Sequence, residues 1–456
     1  MKSSICKKMI TGATACALIS ASGAFLSLPD VSFAETKLKD SVLSTINSNP
    51  KLKVFQENRE AATHDLRRAR AGWLPRVDVR AGYGAEQYSD TTSRQSNKDD
   101  EFTERGDASA VLTQTVWDGF ATSSRVDVGK AKLDSADNRL MDNAEALGLD
   151  AVLAHIEVLR QREIVRLSEI NVQQHQTILG SQSERQKMGV ASIADVTQTQ
   201  GRLARAQSTL VESRSALEVA EAAYKRLTGM EVPTELERAG IPDTAPASFE
   251  TALGASLTAN PKIAAYQSDI QAARGQEDLD KSRFHPNVYL EVGPSYKERV
   301  ESSESYAWGT TAMMRVNWNI YDGGADVAAV RGSAARVRQS RQELQNLLDT
   351  LNEETRATWS RYLSAHEQSS FYTTAVTYNT QTRDTYMQQF LVGQRSLLDV
   401  LDAENELYSS EVQLVTAKAN EAGTAYRLLA LGGNLLASLS IDRSELRNVP
   451  EEGTIR

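Results

Sequence analysis

Two kinds of apolar spacing follow one another along this chain, and the succession happens twice. Val77, Val79, Ala81 and Tyr83 alternate with Arg76, Asp78 and Arg80, and a second alternating run, Leu112 to Val116, keeps Thr113 and Thr115 on its polar face. Alternation of this kind puts apolar and polar side chains on opposite faces of a β-strand. The spacing then lengthens. Val126, Leu133, Leu140 and Leu147 recur every seventh residue, and Leu203, Ala206, Leu210, Ser213, Leu217, Ala220, Tyr224 and Leu227 step by three and four. Such a narrow seam predicts a long helix running out from about Phe120 to Met188 and a second helix packed back along it, as in a coiled coil. Unbroken, the outgoing helix would be roughly 100 Å long. In the second half Val288, Leu290 and Val292, then Met314, Val316, Trp318 and Ile320, alternate in the same way. Val330, Val337, Leu344 and Leu351 repeat the heptads, and Val412, Val415, Ala419, Ala422, Tyr426 and Leu429 the returning seam. Helical segments are predicted ahead of each strand pair, over about 38–70 and 248–283, with polar loops over 86–107 and 297–307 between the strands.

The duplication is also written in the letters. Trp117-Asp118-Gly119 returns as Tyr321-Asp322-Gly323, and Gly189 with Asp195-Val196 returns as Gly393 with Asp399-Val400, both after 204 residues. Asn49-Pro50 and Leu74-Pro75 return as Asn260-Pro261 and His285-Pro286 after 211. One architectural unit has therefore been copied. The expected divisions are a signal peptide (1–34), a first repeat (35–232), a connector (233–247) holding Pro233, Pro242 and Pro246, a second repeat (248–433) and a polar C-terminal tail (434–456).

Strands of about ten residues with one apolar face fit a transmembrane β-barrel, which must close on itself because lipid offers no hydrogen-bond partners. Four strands are too few for one chain to close alone. Two chains would give a plugged eight-stranded barrel, and three a twelve-stranded barrel with a lumen. Trp117, Tyr321, Tyr83, Tyr296, Tyr306 and Trp308 cluster near the strand ends, where interfacial aromatic girdles sit. The fold class expected is thus an internally duplicated α+β membrane protein, with four transmembrane strands per chain and long antiparallel coiled-coil helices.

Composition narrows the function. Lys2, Lys7 and Lys8 precede an apolar stretch from Met9 to about Leu28 and the small-residue site Ser32-Phe33-Ala34, the pattern of a secretory signal cut before Glu35. Both cysteines, Cys6 and Cys16, fall inside it, so the mature chain has no thiol for disulfides, catalysis or metal. Without the signal 48 basic residues face 59 acidic ones, a net charge of −11 that speaks against nucleic acid as a partner. The mean hydropathy of −0.42 suits thin, solvated helices. The five histidines are scattered with no i, i+4 pair, and Gly323-Gly324 and Gly432-Gly433 lack a phosphate-loop context. No enzyme, cofactor or metal site is expected.

The strand pairs closed by Trp117-Asp118-Gly119-Phe120 and Tyr321-Asp322-Gly323-Gly324, with the turn Val392-Gly393 and the run from Leu397 to Glu404, resemble the TolC family of outer-membrane factors over about Leu38 to Gly433. The resemblance implies a homotrimer, a shared twelve-stranded barrel in the lipid of the outer membrane and a helical periplasmic tunnel. It implies docking of a periplasmic adaptor (membrane fusion) protein and an inner-membrane transporter at the helical tips, around Gly189, Val190, Val392 and Gly393. By position, Asp399 and Asp402 match carboxylates ringing the tunnel entrance, where they would attract cations. Asp195 and Arg395 match residues that hold neighbouring helix pairs together. Phe390 stands where some members carry a gating tyrosine, so that hydroxyl is absent. The segments 117–122 and 393–399 look more like the type I branch, which exports protein cargo with an ABC transporter, than like the multidrug branch with its proton-driven pump. A trimeric stalk or adhesin is the rival from another class. Asp195 and Asp399 also suit simple helix capping, because each lies in a first helical turn.

Overall fold

The computed structural model describes residues 36–89, 91–95, 101–300 and 305–442. The expected signal peptide and most of the expected tail lie outside the described residues.

The first repeat comprises α1 (Leu38–Ser48), α2 (Pro50–Arg70), β1 (Arg76–Gln87), α3 (Thr91–Gln95), β2 (Phe102–Trp117), α4 (Ala121–Lys187) and α5 (Ile193–Thr228). The second comprises α6 (Phe249–Thr258), α7 (Pro261–Lys281), β3 (Asn287–Glu298), β4 (Tyr306–Asn317), α8 (Ala325–Leu391) and α9 (Leu397–Leu431), followed by α10 (Leu435–Ser438). The duplicated letters mark element boundaries. Asn49 and Asn260 cap α2 and α7, accepting from the amides of Lys51 at 3.0 Å and Lys262 at 2.8 Å, with proline in the first turn of each helix. Asp118 accepts from the Thr122 amide at 2.8 Å, and Asp322 from that of Asp326 at the same distance. The repeated aspartate therefore fastens the start of each long helix to the end of the strand before it.

The sheet runs β1-β2-β3-β4, antiparallel throughout, and joins the two repeats through β2 and β3. Its register pairs Val79 with Ala110, Leu112 with Val292 and Leu290 with Met314, so one face is apolar from edge to edge. Asp78, Arg80, Ser109, Ser295 and Arg315 belong to the other face, where Arg76 meets Asp78 at 2.8 Å and Arg315 pairs with Glu291. Within the chain β1 and β4 are left as open edges. Two expectations are corrected here. The strands run deeper into both predicted loops, which shrink to the segments between Gln87 and Phe102 and between Glu298 and Tyr306, because ladder pairing continues through the charged residues there. Trp318 and Ile320 lie beyond the end of β4, and the Trp318 indole donates instead to the Phe284 carbonyl at 3.1 Å.

The heptad positions turn inward to different depths, Leu133, Val330 and Leu344 being half-buried. Val126, Leu140, Leu147, Val337 and Leu351 are buried. The main core joins α4 and α9 to α1 through Leu140, Leu147, Val152, Val42, Tyr426 and Leu429. The expected polar tail begins differently. Leu435 and Leu436 of α10 sink into this core, and the buried Glu145 carboxylate accepts from both of their amides, at 3.0 and 3.3 Å. An apolar pair and a waiting acceptor outweigh the polar composition that follows. No helix among the described residues is long and apolar enough to cross a membrane.

Candidate functional site at the helical tips

Each long helix turns back through the same short device. Gly189 and Gly393 have φ of +75° and +79°, a backbone that side chains rarely tolerate. The amide of Val190 bonds the Arg185 carbonyl at 2.9 Å, and that of Gln394 bonds the Gln389 carbonyl at 2.8 Å, the Schellman closure of a helix C-terminus. Ser192 and Ser396 then start the returning helices, their hydroxyls accepting from Ala194 at 3.1 Å and Asp399 at 3.2 Å. Met188, Val190, Ile193, Leu391 and Val392 stand exposed around the two turns.

The copies diverge one residue further on. Asp195 is folded into its own helix start: its carboxylate accepts from the Ser192 amide at 3.3 Å and from Gln182 at 3.5 Å, completing a capping box. Asp399 does not close such a box. It lies 3.8 Å from Arg395, whose guanidinium stacks 4.0 Å from the centre of the Tyr386 ring. Asp195 and Arg395, which the resemblance implies hold neighbouring helix pairs together, are within this chain each engaged inside their own hairpin.

Contacts between the hairpins join two residues expected from the sequence, Phe390 and Asp402, to partners that sequence reasoning missed, Arg185 and Arg202. Phe390 is buried with Ile178, Leu397, Val400 and Leu401, and the Arg185 guanidinium of α4 covers its ring at 4.8 Å while donating to its carbonyl at 3.4 Å. Arg202 of α5 donates to Asp402 of α9 at 2.8 Å. Higher up, Ser168 and Tyr408 share a hydrogen bond of 2.8 Å. A shallow groove is bounded by Asn379, Thr382 and Tyr386 on α8 and by Asp399, Asp402 and Glu406 on α9. Three carboxylates thus project along one side of α9, two of them beside arginines.

A duplicated four-stranded antiparallel sheet, apolar on one face and open at both edges, continued by two very long helical hairpins with capped tips, defines the subunit of an outer-membrane channel-tunnel. The chain belongs to the outer membrane efflux protein family, whose model matches residues 43–230 and again 252–434, one match for each repeat. It is 25% identical over 327 residues to the outer membrane efflux protein BepC of Brucella suis, spanning 72% of each chain. It is 24% identical over 409 residues to the alkaline protease secretion protein AprF of Pseudomonas aeruginosa, spanning 87% of this chain and 84% of AprF. Among solved structures, the CmeC outer membrane channel of Campylobacter jejuni superimposes with a TM-score of 0.76 over 90% of both chains, at 14% identity. The protein is an outer-membrane channel of tripartite efflux and secretion systems, which work with a periplasmic adaptor and an inner-membrane transporter, and its family is one of channels rather than enzymes. The stalk or adhesin expected as a rival falls with that membership.

Proposed function

We propose that this chain is the outer-membrane conduit for protein export in a type I system, with an ABC transporter and a membrane-fusion adaptor as partners. The observation that carries the reading is the likeness to AprF, a protein named for protease secretion, which extends over 87% of this chain against 72% for BepC. Three copies form the conduit: β4 of one chain pairs with β1 of the next, giving twelve strands, and α8 meets the neighbour's α5 along the tunnel. The open sheet edges support this, as do apolar residues left exposed on the helix flanks, Val211 and Val219 on α5 and Leu363, Phe371 and Tyr378 on α8. Asp399 and Asp402 line the entrance with Glu406, while Asp195 and Arg395 keep the two turns stiff enough to hold it. Conduction is passive, and the partners drive opening.

Deletion of the gene separates the two branches. Loss of one or more proteins from the culture medium, with drug susceptibility unchanged, is the expected outcome. Increased drug susceptibility with an unchanged secreted-protein profile would move the chain to the multidrug branch.

A further inference from the structure

The two copies of the tip differ in charge where they correspond. Positions 195, 198 and 202 hold Asp, Gln and Arg; the same positions after 204 residues, 399, 402 and 406, hold Asp, Asp and Glu. The one cation of the set, Arg202, reaches across from α5 to the second copy and bonds Asp402 at 2.8 Å. Its side chain is 26% exposed, while that of Asp402 is 58% exposed, so the arginine is the anchored partner and the carboxylate the accessible one. An ion pair at this distance shows a passing ion a dipole in place of a charge. Asp399 is paired differently, with Arg395 of its own hairpin. Glu406 has no ion pair among the described residues.

We infer that Arg202 is a specificity-determining residue, a movable charge mask over the entrance that neutralises Asp402 while the two hairpins of a chain lie together and uncovers it when they part. This rests on the reading of α9 as lining the entrance. The three carboxylates of each chain then behave unlike one another. Asp399 travels with its arginine and stays paired, Glu406 is free in every state, and Asp402 is charged toward the lumen only when the hairpins separate. The cation preference of the entrance therefore rises as it opens, because each subunit adds one unpaired carboxylate to it.

The test uses purified full-length channels in planar bilayers, read by reversal potential in a potassium chloride gradient and by block with hexamminecobalt(III). Arg202→Gln keeps a good helix former at the site. It is expected to shift the resting channel toward cations and to lower the blocking concentration by about threefold, one uncovered carboxylate per subunit. Adding Asp402→Asn to Arg202→Gln is expected to abolish that gain. Wild-type selectivity in Arg202→Gln overturns the mask. So does a gain that survives in the double variant, since the arginine would then act only by holding the hairpins together. Glu406→Gln reports on the underlying reading. A reduced cation preference places α9 at the entrance whatever Arg202 does, and no change overturns both the reading and the mask.

Discussion

At the scale of single residues, the tip shows how one phenyl ring is held. Phe390 cannot make the hydrogen bond that a tyrosine would. Instead its ring fills the small core of Ile178, Leu397, Val400 and Leu401, and its outer face carries the Arg185 guanidinium. A cation over a phenyl ring contributes about 0.5–2 kcal/mol depending on how far it is desolvated. Arg185→Gln should weaken the link between the ends of α4 and α8 while leaving the core beneath intact. Its expected outcome is a higher single-channel conductance in planar bilayers with unchanged trimer content on native gels; equal conductance would show that Arg185 holds nothing shut. Asp195 is the opposite lesson. Its place after a turn glycine suited both a gate contact and a helix cap, and within the chain its carboxylate is spent on the capping box with Ser192.

At the scale of elements, the strands and long helices were readable because their spacings, two for the sheet and seven or three-and-four for the seams, follow from geometry alone. Duplicated Asn-Pro and Asp-Gly pairs fell at boundaries because caps and turns need particular residues there. The straps were not readable. Arg202 and Asp402 stand 200 positions apart, and whether they meet depends on the stagger of two hairpins, which no local pattern reports. Helix α10 was missed because four residues carry no period. The joint where α1, α4, α5 and the connector meet was missed too, since its polar contacts join single residues far apart in the chain. There His155 of α4, fully buried, lies 2.8 Å from the Glu237 carbonyl and 3.0 Å from Ser41, which lies 2.7 Å from the Tyr224 hydroxyl. A carbonyl only accepts, so Nε2 carries the proton, Nδ1 accepts from Ser41, and Ser41 accepts from Tyr224. Burial pushes the His155 pKa below its ordinary 6.5, with Arg162 adding to the effect and Glu237 opposing it. The unfolded chain therefore takes up the proton first. Stability is complete above pH 6.5 and is lost as the pH falls toward the lower folded value. Melting curves between pH 7.5 and 5 should show a decline that His155→Gln flattens, whereas parallel curves would remove the histidine from the account.

At the scale of the whole molecule, a single chain is an unfinished wall. Its sheet ends in two bare edges, and its helical layer ends in α5 on one flank and α8 on the other, where Phe371 is 72% exposed. Covering one such ring contributes about 1.5–3 kcal/mol, and the three seams of the proposed trimer would repeat the gain. Phe371→Asp is therefore expected to shift the protein from trimer to monomer in detergent, read by light scattering after size exclusion; a trimer of undiminished stability would place the seam elsewhere. One further consequence lies in a coincidence of size, because α4 and α8 each contain 67 residues. In the proposed trimer six pillars of one length would make a level rim, and a level rim can seat a flat partner ring. Lengthening one pillar by a heptad would raise alternate tips by about 10 Å and leave the rim crenellated. A matched pair of insertions, one in each repeat, would keep the rim level, so a change of reach asks for two coordinated changes in one chain.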